Sequence, residues 1–464
     1  MFERKVYQKL QVWKENYASK QACLLEGARQ IGKTTIAEHF AKKEYKSYIK
    51  IDFANTTKEI LDIFSNTAKL DLLFLRLQTE TGIKLVRGES VIIFDQIQWY
   101  PKARKIAKYL VKDGRYHYIE TGTLLSPNDN MKDAEEYKIN VYPMDYEEFL
   151  WARGRDSDVF YDICRANEKI GSSINCKLMR DFRLYMAVGG MPQAVETYIK
   201  TNNFHDVDQV KRKIIELYLE DLGRMDESGR LSDIYKAIPV QLSLKKKHFI
   251  IGAATGKRKT EKDVKRLSDL LDSKIALACY HVTDPDVALM KISEPVRFKL
   301  YMADTGLLVT MLFHGNQPEI YEKLLSDKLE ADLGYLYENA AAQMLTAGGW
   351  NLYYHTWKKK NSNHFYEIDF LITLQSELIS IEIKSSASNN GRASLIFAEK
   401  YSLCVGKQYL FSQNDVSRKG NLEFKPIYML PFLFAKDVKM TWQGNAFLVE
   451  WTADGKPILN GREK

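Results

Sequence analysis

The stretch Glu26-Gly27-Ala28-Arg29-Gln30-Ile31-Gly32-Lys33-Thr34-Thr35 constrains this chain more than any other, because it fits G-x-x-x-x-G-K-[ST]. Ala22-Cys23-Leu24-Leu25 before it predicts a short buried strand, and Ile36-Ala37-Glu38-His39-Phe40-Ala41-Lys42 after it is a run of helix formers. The glycines therefore fall on a strand-to-helix turn, where backbone amides and a helix N-terminus can cradle phosphate. Each residue then has a task. Gly27 and Gly32 let the backbone approach a triphosphate, Lys33 reaches its β and γ phosphates, and Thr34 offers a hydroxyl to Mg²⁺. A glycine-containing turn that fits by chance is the alternative, and the flanking strand and helix argue against it.

A chain of 464 residues is too long for one core, and the usual domain size suggests about three domains. Lys+Arg 68 against Asp+Glu 60 leaves a formal charge of +8, which permits contact with an acidic polymer without demanding it. The five cysteines, Cys23, Cys164, Cys176, Cys279 and Cys404, are far apart and form no C-x-x-C pair. Neither a zinc site nor a disulfide framework is indicated, and a reducing cytoplasm fits. Charges run through the first residues and nowhere do about eighteen apolar residues occur together, so neither a signal peptide nor a membrane span is expected. The polar run Gly171-Ser172-Ser173-Ile174-Asn175 reads as a loop between domains.

Beyond the turn, Ser47 to Asp52 alternates as a strand, and Ile60, Ile63, Leu70, Leu73 and Leu77 continue a long helical pattern. Val91-Ile92-Ile93-Phe94-Asp95 is then a continuous apolar strand ending in a carboxylate, the form of a Walker B segment. Asp95 would hold Mg²⁺ directly or through water. An aspartate there also serves as a helix N-cap, but the upstream turn favours the metal role. Tyr116 to Leu125 reads as a further strand ending in small hydroxyl residues, with Thr121 or Thr123 placed to sense the γ-phosphate or simply to close a strand exit. This order predicts a P-loop NTPase α/β fold, a parallel sheet with helices on both faces, over residues 1–160.

Gly27 to Thr34, Phe94-Asp95-Gln96-Ile97-Gln98 with Pro101 behind it, Thr121 to Leu125 and Tyr142-Pro143-Met144-Asp145-Tyr146-Glu147-Glu148-Phe149-Leu150 together resemble the archaeal-type AAA+ ATPases of bacteria and archaea. The resemblance covers almost the whole chain. It implies ATP and Mg as cofactors, with Gly27, Ala28, Arg29, Gln30, Ile31, Gly32, Lys33, Thr34 and Thr35 around the nucleotide. It also implies a homo-oligomer with an arginine reaching between subunits, for which Arg115 is a candidate. The family usually carries glutamate after the Walker B aspartate to polarise the attacking water; here the residue is Gln96. An amide oxygen is a very weak base, so slow hydrolysis is expected unless another group substitutes.

Leu184 to Val195 resembles the family's glycine-glycine-x-proline signature, read here as a helix stopped by Gly189 and Gly190 with Pro192 opening the next. Asp304-Thr305-Gly306-Leu307-Leu308 matches another family signature without an evident chemistry. Residues 161–330 read as a helical and winged-helix region, with strand-like runs at Ile275 to Val282 and Phe298 to Met302. Lys245-Lys246-Lys247-His248, Lys257-Arg258-Lys259, Lys262, Lys265 and Arg266 make this the most basic part of the chain. They could grip nucleic-acid phosphates or form a solvated charged face.

Residues 331–464 hold a second constellation. Glu338 lies on a helical run, Asp369 interrupts an apolar strand, and Glu382 and Lys384 close Ile381-Glu382-Ile383-Lys384. Asp followed by Glu-x-Lys on an adjacent strand is the pattern of the PD-(D/E)XK nuclease fold, which the family's C-terminal region also resembles. Residues 382 and 384 point to one side of a strand, so both converge on Asp369 across a hairpin. Asp369 and Glu382 would hold Mg²⁺, Glu338 would join from its helix, and Lys384 would orient or help deprotonate water. An inward Glu–Lys salt bridge in a degenerate domain is the alternative.

These readings describe an ATP-binding protein whose nuclease-like domain acts on nucleic acid, DNA rather than RNA, with no membrane role. The competing reading is a signalling or scaffold switch that binds protein or nucleic acid without cutting it.

Overall fold

The computed structural model describes residues 1–65, 69–123, 136–291, 293–313, 317–326, 333–360, 362–374, 376–385, 391–435, 449–451 and 457–459. The chain divides into two compact units, Met1–Tyr142 with Asp272–Lys274, and Pro143–Leu271 with Ile275–Lys464. No helix among the described residues is long and apolar enough to cross a membrane.

The first unit is built on five strands: β1 (Cys23–Glu26), β2 (Ser47–Asp52), β3 (Ser90–Asp95), β4 (His117–Gly122) and β5 (Tyr137–Asn140). They pair in the order β2-β3-β4-β1-β5, and every pairing is parallel. All six residues of β3 are buried, as a strand covered on both faces requires. Helices α1 (Lys5–Asn16), α2 (Lys33–Glu44), α3 (Lys58–Ser65), α4 (Leu70–Thr81) and α5 (Lys102–Asp113) complete the unit. The helical pattern from Ile60 to Leu77 is thus carried by two helices, and both supply residues to one core around Ile92 and Phe94. Because β4 lies between β1 and β3, the hydroxyls at its end stand beside both the glycine-rich turn and Asp95.

The second unit begins with helices and ends in an eight-stranded mixed sheet. Its strands are β6 (Ala276–Val282), β7 (Ser293–Met302), β8 (Leu352–Lys358), β9 (Phe365–Leu374), β10 (Glu377–Ile383), β11 (Val405–Ser412), β12 (Ser417–Lys419) and β13 (Leu422–Pro426). The order is β12-β13-β11-β10-β9-β8-β6-β7. Here the structure departs from the expectation. The strands assigned to a winged helix, β6 and β7, extend the same sheet that carries Asp369 and Glu382, with β6 pairing parallel to β8 through Cys279 and Leu352. A short antiparallel pair gives the same local pattern in a wing as at a sheet edge, and only its distant neighbour distinguishes them.

The polar run at 171–175 is also not an interdomain loop. Gly171 has φ 90° and precedes the helix Ser172–Val188, and buried Asn175 donates to the carbonyl of Gln413 at 2.9 Å.

The two family signatures form one structural node. Gly189 closes that helix with φ 86°, and Pro192 is the first residue of the helix Pro192–Thr201. The Asp304 carboxylate accepts from the Gly190 amide at 2.6 Å and from the Leu307 amide at 2.9 Å, capping the helix Thr305–Leu312. A Cβ on Gly190 would lie 2.0 Å from the Met144 carbonyl oxygen, and one on Gly306 would lie 2.5 Å from that of Val188. The glycines are there because three backbones meet.

Candidate functional site

The glycine-rich turn leaves the carboxyl end of β1 and enters α2. Gly32 sits before the helix with φ 89°, and Gln30 also adopts positive φ, 65°. A Cβ on Gly27 would lie 2.3 Å from the Val141 carbonyl oxygen, so this glycine serves the turn's own packing. Ala28 and Ile31 are buried, Arg29 and Gln30 half-buried, and Thr35 exposed. Arg4 braces the turn, donating to the carbonyls of Ile31 at 3.0 Å and Tyr142 at 2.7 Å.

Lys33 Nζ donates to the carbonyls of Gly27 at 2.8 Å and Ala28 at 2.6 Å, and to Thr123 Oγ1 at 3.0 Å. Burial pulls its pKa down to about 7, against the opposing pull of Asp95 and Glu26. Thr34 Oγ1 donates to Asp95 Oδ1 at 2.7 Å, and Thr121 Oγ1 donates to the same oxygen. A cation, three hydroxyls and a carboxylate thus meet at the N-terminus of α2. The donor set fits a triphosphate with its magnesium: Lys33 for the phosphates, Thr34 and Asp95 for the ion.

Gln96 follows with φ 57°. Its amide N–H donates to Thr121 Oγ1 at 3.1 Å, and its side-chain Nε2 donates to Asp52 Oδ1 at 2.9 Å. The side chain is therefore held against the end of β2, whose Asp52 is the register partner of Asp95. The Thr123 amide donates to Gln98 Oε1 at 3.3 Å, while Leu124 and Leu125 of the sensor segment lie outside the described residues. Arg115 does not present a free guanidinium. It bonds Asp113 and Asp71, each at 2.6 Å, and lies over the Phe74 ring.

In the second unit, Asp369 on β9 and Glu382 on β10 come together with Lys384. Lys384 Nζ lies 3.1 Å from Glu382 Oε1 and 4.0 Å from Asp369 Oδ2. The other Glu382 oxygen accepts from Ser394 Oγ at 2.6 Å, and Asp369 accepts from the Ile383 amide at 2.7 Å. Glu338, on the helix Gly334–Ala347, joins Glu367 and Asp369 with carboxylate oxygens within 4.8 Å of one another. Buried Lys299 of β7 lies 2.7 Å from Glu338 and also contacts Glu367, and the Tyr301 hydroxyl donates to Glu338. Burial raises Asp369 to about 7, with Glu338 and Glu367 adding to it and Lys384 and Lys299 opposing. Burial pulls Lys384 down, but Asp369 and Glu382 outweigh it and hold the ammonium above its usual range. Lys384 therefore stays charged near neutrality.

Residues 19–150 match the family described as AAA domain. The chain carries an AAA-type ATPase domain. Residues 179–318 match Domain of unknown function (DUF8612), and residues 333–430 match Domain of unknown function (DUF4143). The gap between those two matches falls between strands β7 and β8 of one sheet. No curated protein is significantly similar to the chain. Similar solved structures include PCH-2 of C. elegans, at 12% identity over 45% of this chain and 67% of that one, TM-score 0.25. The Thermotoga maritima RuvB Holliday junction branch migration motor matches at 15% identity over 59% and 89%, TM-score 0.27. The Pif1 helicase of Candida albicans matches at 16% identity over 37% and 49%, TM-score 0.22. The assignment rests on the AAA family match and not on these distant likenesses.

Sequence reasoning missed Asp52 and Arg4 in the first unit and Lys299, Tyr301 and Glu367 in the second. Glu367 was within reach, since it lies two residues before Asp369 on one strand and so on the same face. Lys299 was signalled only by a lysine among apolar strand residues. Of the basic residues around 245–266, Arg266 is committed to Asp226 at 2.8 Å and Asp263 at 3.0 Å, whereas Lys257, Arg258, Lys259, Lys262 and Lys265 are exposed.

Proposed function

We propose that the protein is a cytoplasmic, homo-oligomeric ATP-dependent switch whose second unit cleaves phosphodiester bonds in nucleic acid, DNA in preference to RNA. In the AAA domain Lys33 binds the phosphates and Thr34 and Asp95 orient the metal's ligands. Bound magnesium supplies charge neutralisation for the β and γ phosphates. Gln96 supplies no base, and hydrolysis is slow. The observation that carries the nuclease reading is the convergence of Asp369, Glu382 and Lys384 from two strands, with Glu338 from a helix. Lys384 holds a scissile phosphate oxygen or the attacking water. Carboxylate oxygens of Glu338, Glu367 and Asp369 have the chemistry to hold Mg²⁺. The exposed lysines at 257, 259, 262 and 265 give the polyanion a place to lie.

Single- and double-stranded DNA and RNA, incubated with Mg²⁺ or Mn²⁺ with and without ATP, test this beside Lys384→Ala. Metal-dependent cleavage lost in the variant is the expected result; cleavage equal in both proteins, or none in either, removes the nuclease. The second reading, a switch that binds without cutting, is favoured by Lys299. Its ammonium already neutralises Glu338 and Glu367, two carboxylates a metal would need.

A further inference from the structure

The strand that carries Asp369, β9, begins in a basic and aromatic surface. Between Thr356 and Tyr366 the sequence holds Lys358, Lys359, Lys360 and His364, and no acidic residue. The stretch from Val240 to Thr260 is likewise free of acids and contains Lys245, Lys246 and Lys247. The two stretches meet at Phe365, the first residue of β9, where Lys247 Nζ lies 3.6 Å from the centre of the ring. The segment bearing Lys247 is anchored two residues later, where buried Phe249 donates its amide to the Phe298 carbonyl of β7 at 2.7 Å. A second lysine, Lys359, lies 4.7 Å over Tyr366, whose ring packs on Trp357 at 5.4 Å.

A single exposed aromatic is ordinary on a protein surface. The position of this one is not. The register runs unbroken from Lys358 opposite Phe365 to His355 opposite Ile368, so Phe365 shares the face of Glu367, two residues and about 7 Å along β9. Glu367 belongs to the carboxylate cluster with Glu338 and Asp369. On the same face Thr356, the register partner of Glu367, accepts from Arg297 Nη2 at 3.0 Å, which brings a half-buried guanidinium beside the cluster. Phe365 itself is 39% exposed, which leaves part of the ring open to a partner. Cations attract phosphates, and a ring of this kind stacks on a base. A base is open to such stacking only where it is unpaired, because a duplex keeps its bases stacked on one another.

We propose that Phe365, Lys247 and Arg297 form a subsite for an unpaired stretch of DNA leading to the carboxylate cluster. A base stacks on the open part of the Phe365 ring, and the flanking phosphates pair with Lys247 and Arg297. The subsite rests on the nuclease reading for the place of the scissile bond, but the binding it describes needs neither metal nor cleavage.

Fluorescence anisotropy on the full chain in EDTA tests this with three labelled oligonucleotides of one length: a single strand of DNA, the same strand made abasic, and the blunt duplex. The single strand should bind about tenfold more tightly than the abasic strand, as one aromatic stack provides, and more tightly than the duplex. Phe365→Ala should erase the preference over the abasic strand, and Phe365→Trp should keep it. Lys247→Ala should weaken the single strand and lessen its dependence on salt. Arg418→Ala with Lys419→Ala, exposed on β12 at the opposite edge of the sheet from β7, should change neither. Equal binding of the single and abasic strands, no binding of either, or a preference that survives Phe365→Ala overturns the subsite. Cleavage is scored separately in Mg²⁺ against Lys384→Ala. Base-dependent binding without cleavage removes the nuclease and leaves the subsite, whereas cleavage with base-independent binding does the reverse.

Discussion

Gln96 keeps its amide on Asp52 at 2.9 Å, and that contact changes what a corrective substitution should do. Gln96→Glu places a carboxylate beside Asp95, but sets it against the Asp52 carboxylate, and two such groups sharing a site push one pKa upward. Pairing it with Asp52→Asn reverses donor and acceptor and keeps the bond. ATP turnover, read as phosphate release, should rise by about tenfold in Gln96→Glu and further in the double variant, toward the roughly hundredfold or more that a positioned base contributes. A double variant no faster than the single one would show that Asp52 does not matter here. Lys33 makes a second prediction. Its pKa of about 7 lies below the unfolded value near 10.5, so between those values the free protein holds fewer protons at this site than the unfolded chain. Stability from this group therefore rises with pH across that window. A bound triphosphate pulls the pKa back up, so ATP binding near pH 8 should take up about one proton. Calorimetry in buffers of differing ionisation enthalpy measures that uptake, and an enthalpy independent of buffer would refute it.

At the scale of elements, the node around Gly190 and the edge strand β7 have different sensitivities. Gly190→Ala drives a methyl onto the Met144 carbonyl from 2.0 Å, where backbone must move, and should cost about 3 kcal/mol in the second unit's denaturant transition. A loss below about 1 kcal/mol would mean the three backbones can part. Lys299→Met removes the buried cation between half-buried Glu338 and Glu367; breaking a fully buried pair costs about 3–5 kcal/mol, and the partial exposure of both carboxylates should bring the loss below that. The loss should shrink as pH falls and the stranded carboxylates protonate, and Mn²⁺ should restore stability if they hold metal. Failure of Mn²⁺ to restore it, read by thermal melting, would favour the binding-only switch. These elements also show what sequence could carry. The phosphate cradle was legible because its residues are contiguous, and the Asp369, Glu382 and Lys384 cluster because one hairpin brings it together. The Asp52–Gln96 bond spans 44 residues and the Lys299–Glu367 pair spans 68, and nothing local announces either. The glycine signatures were visible as conformational punctuation, but their common partner, Asp304, is 114 residues from Gly190.

For the whole molecule, the question is where the chain can be cut. A reading of local pattern places a boundary at 330/331, and the two C-terminal family matches also leave a gap there. The sheet crosses it. A fragment of residues 331–464 loses β6 and β7, which bares the ladder edge of β8 and leaves Glu338 and Glu367 without Lys299. Exposed edges invite pairing with other chains, and half-buried carboxylates left without their cation oppose folding at neutral pH. A fragment of residues 143–464 keeps the complete sheet, the Gly190 and Asp304 node and both lysines of the carboxylate cluster. The longer fragment should therefore be monomeric or specifically assembled, with a cooperative melt, while the shorter should aggregate or lack one. Scattering and calorimetry of the two side by side measure this, and a shorter fragment melting as sharply as the longer would show that β6 and β7 are accessory to the fold.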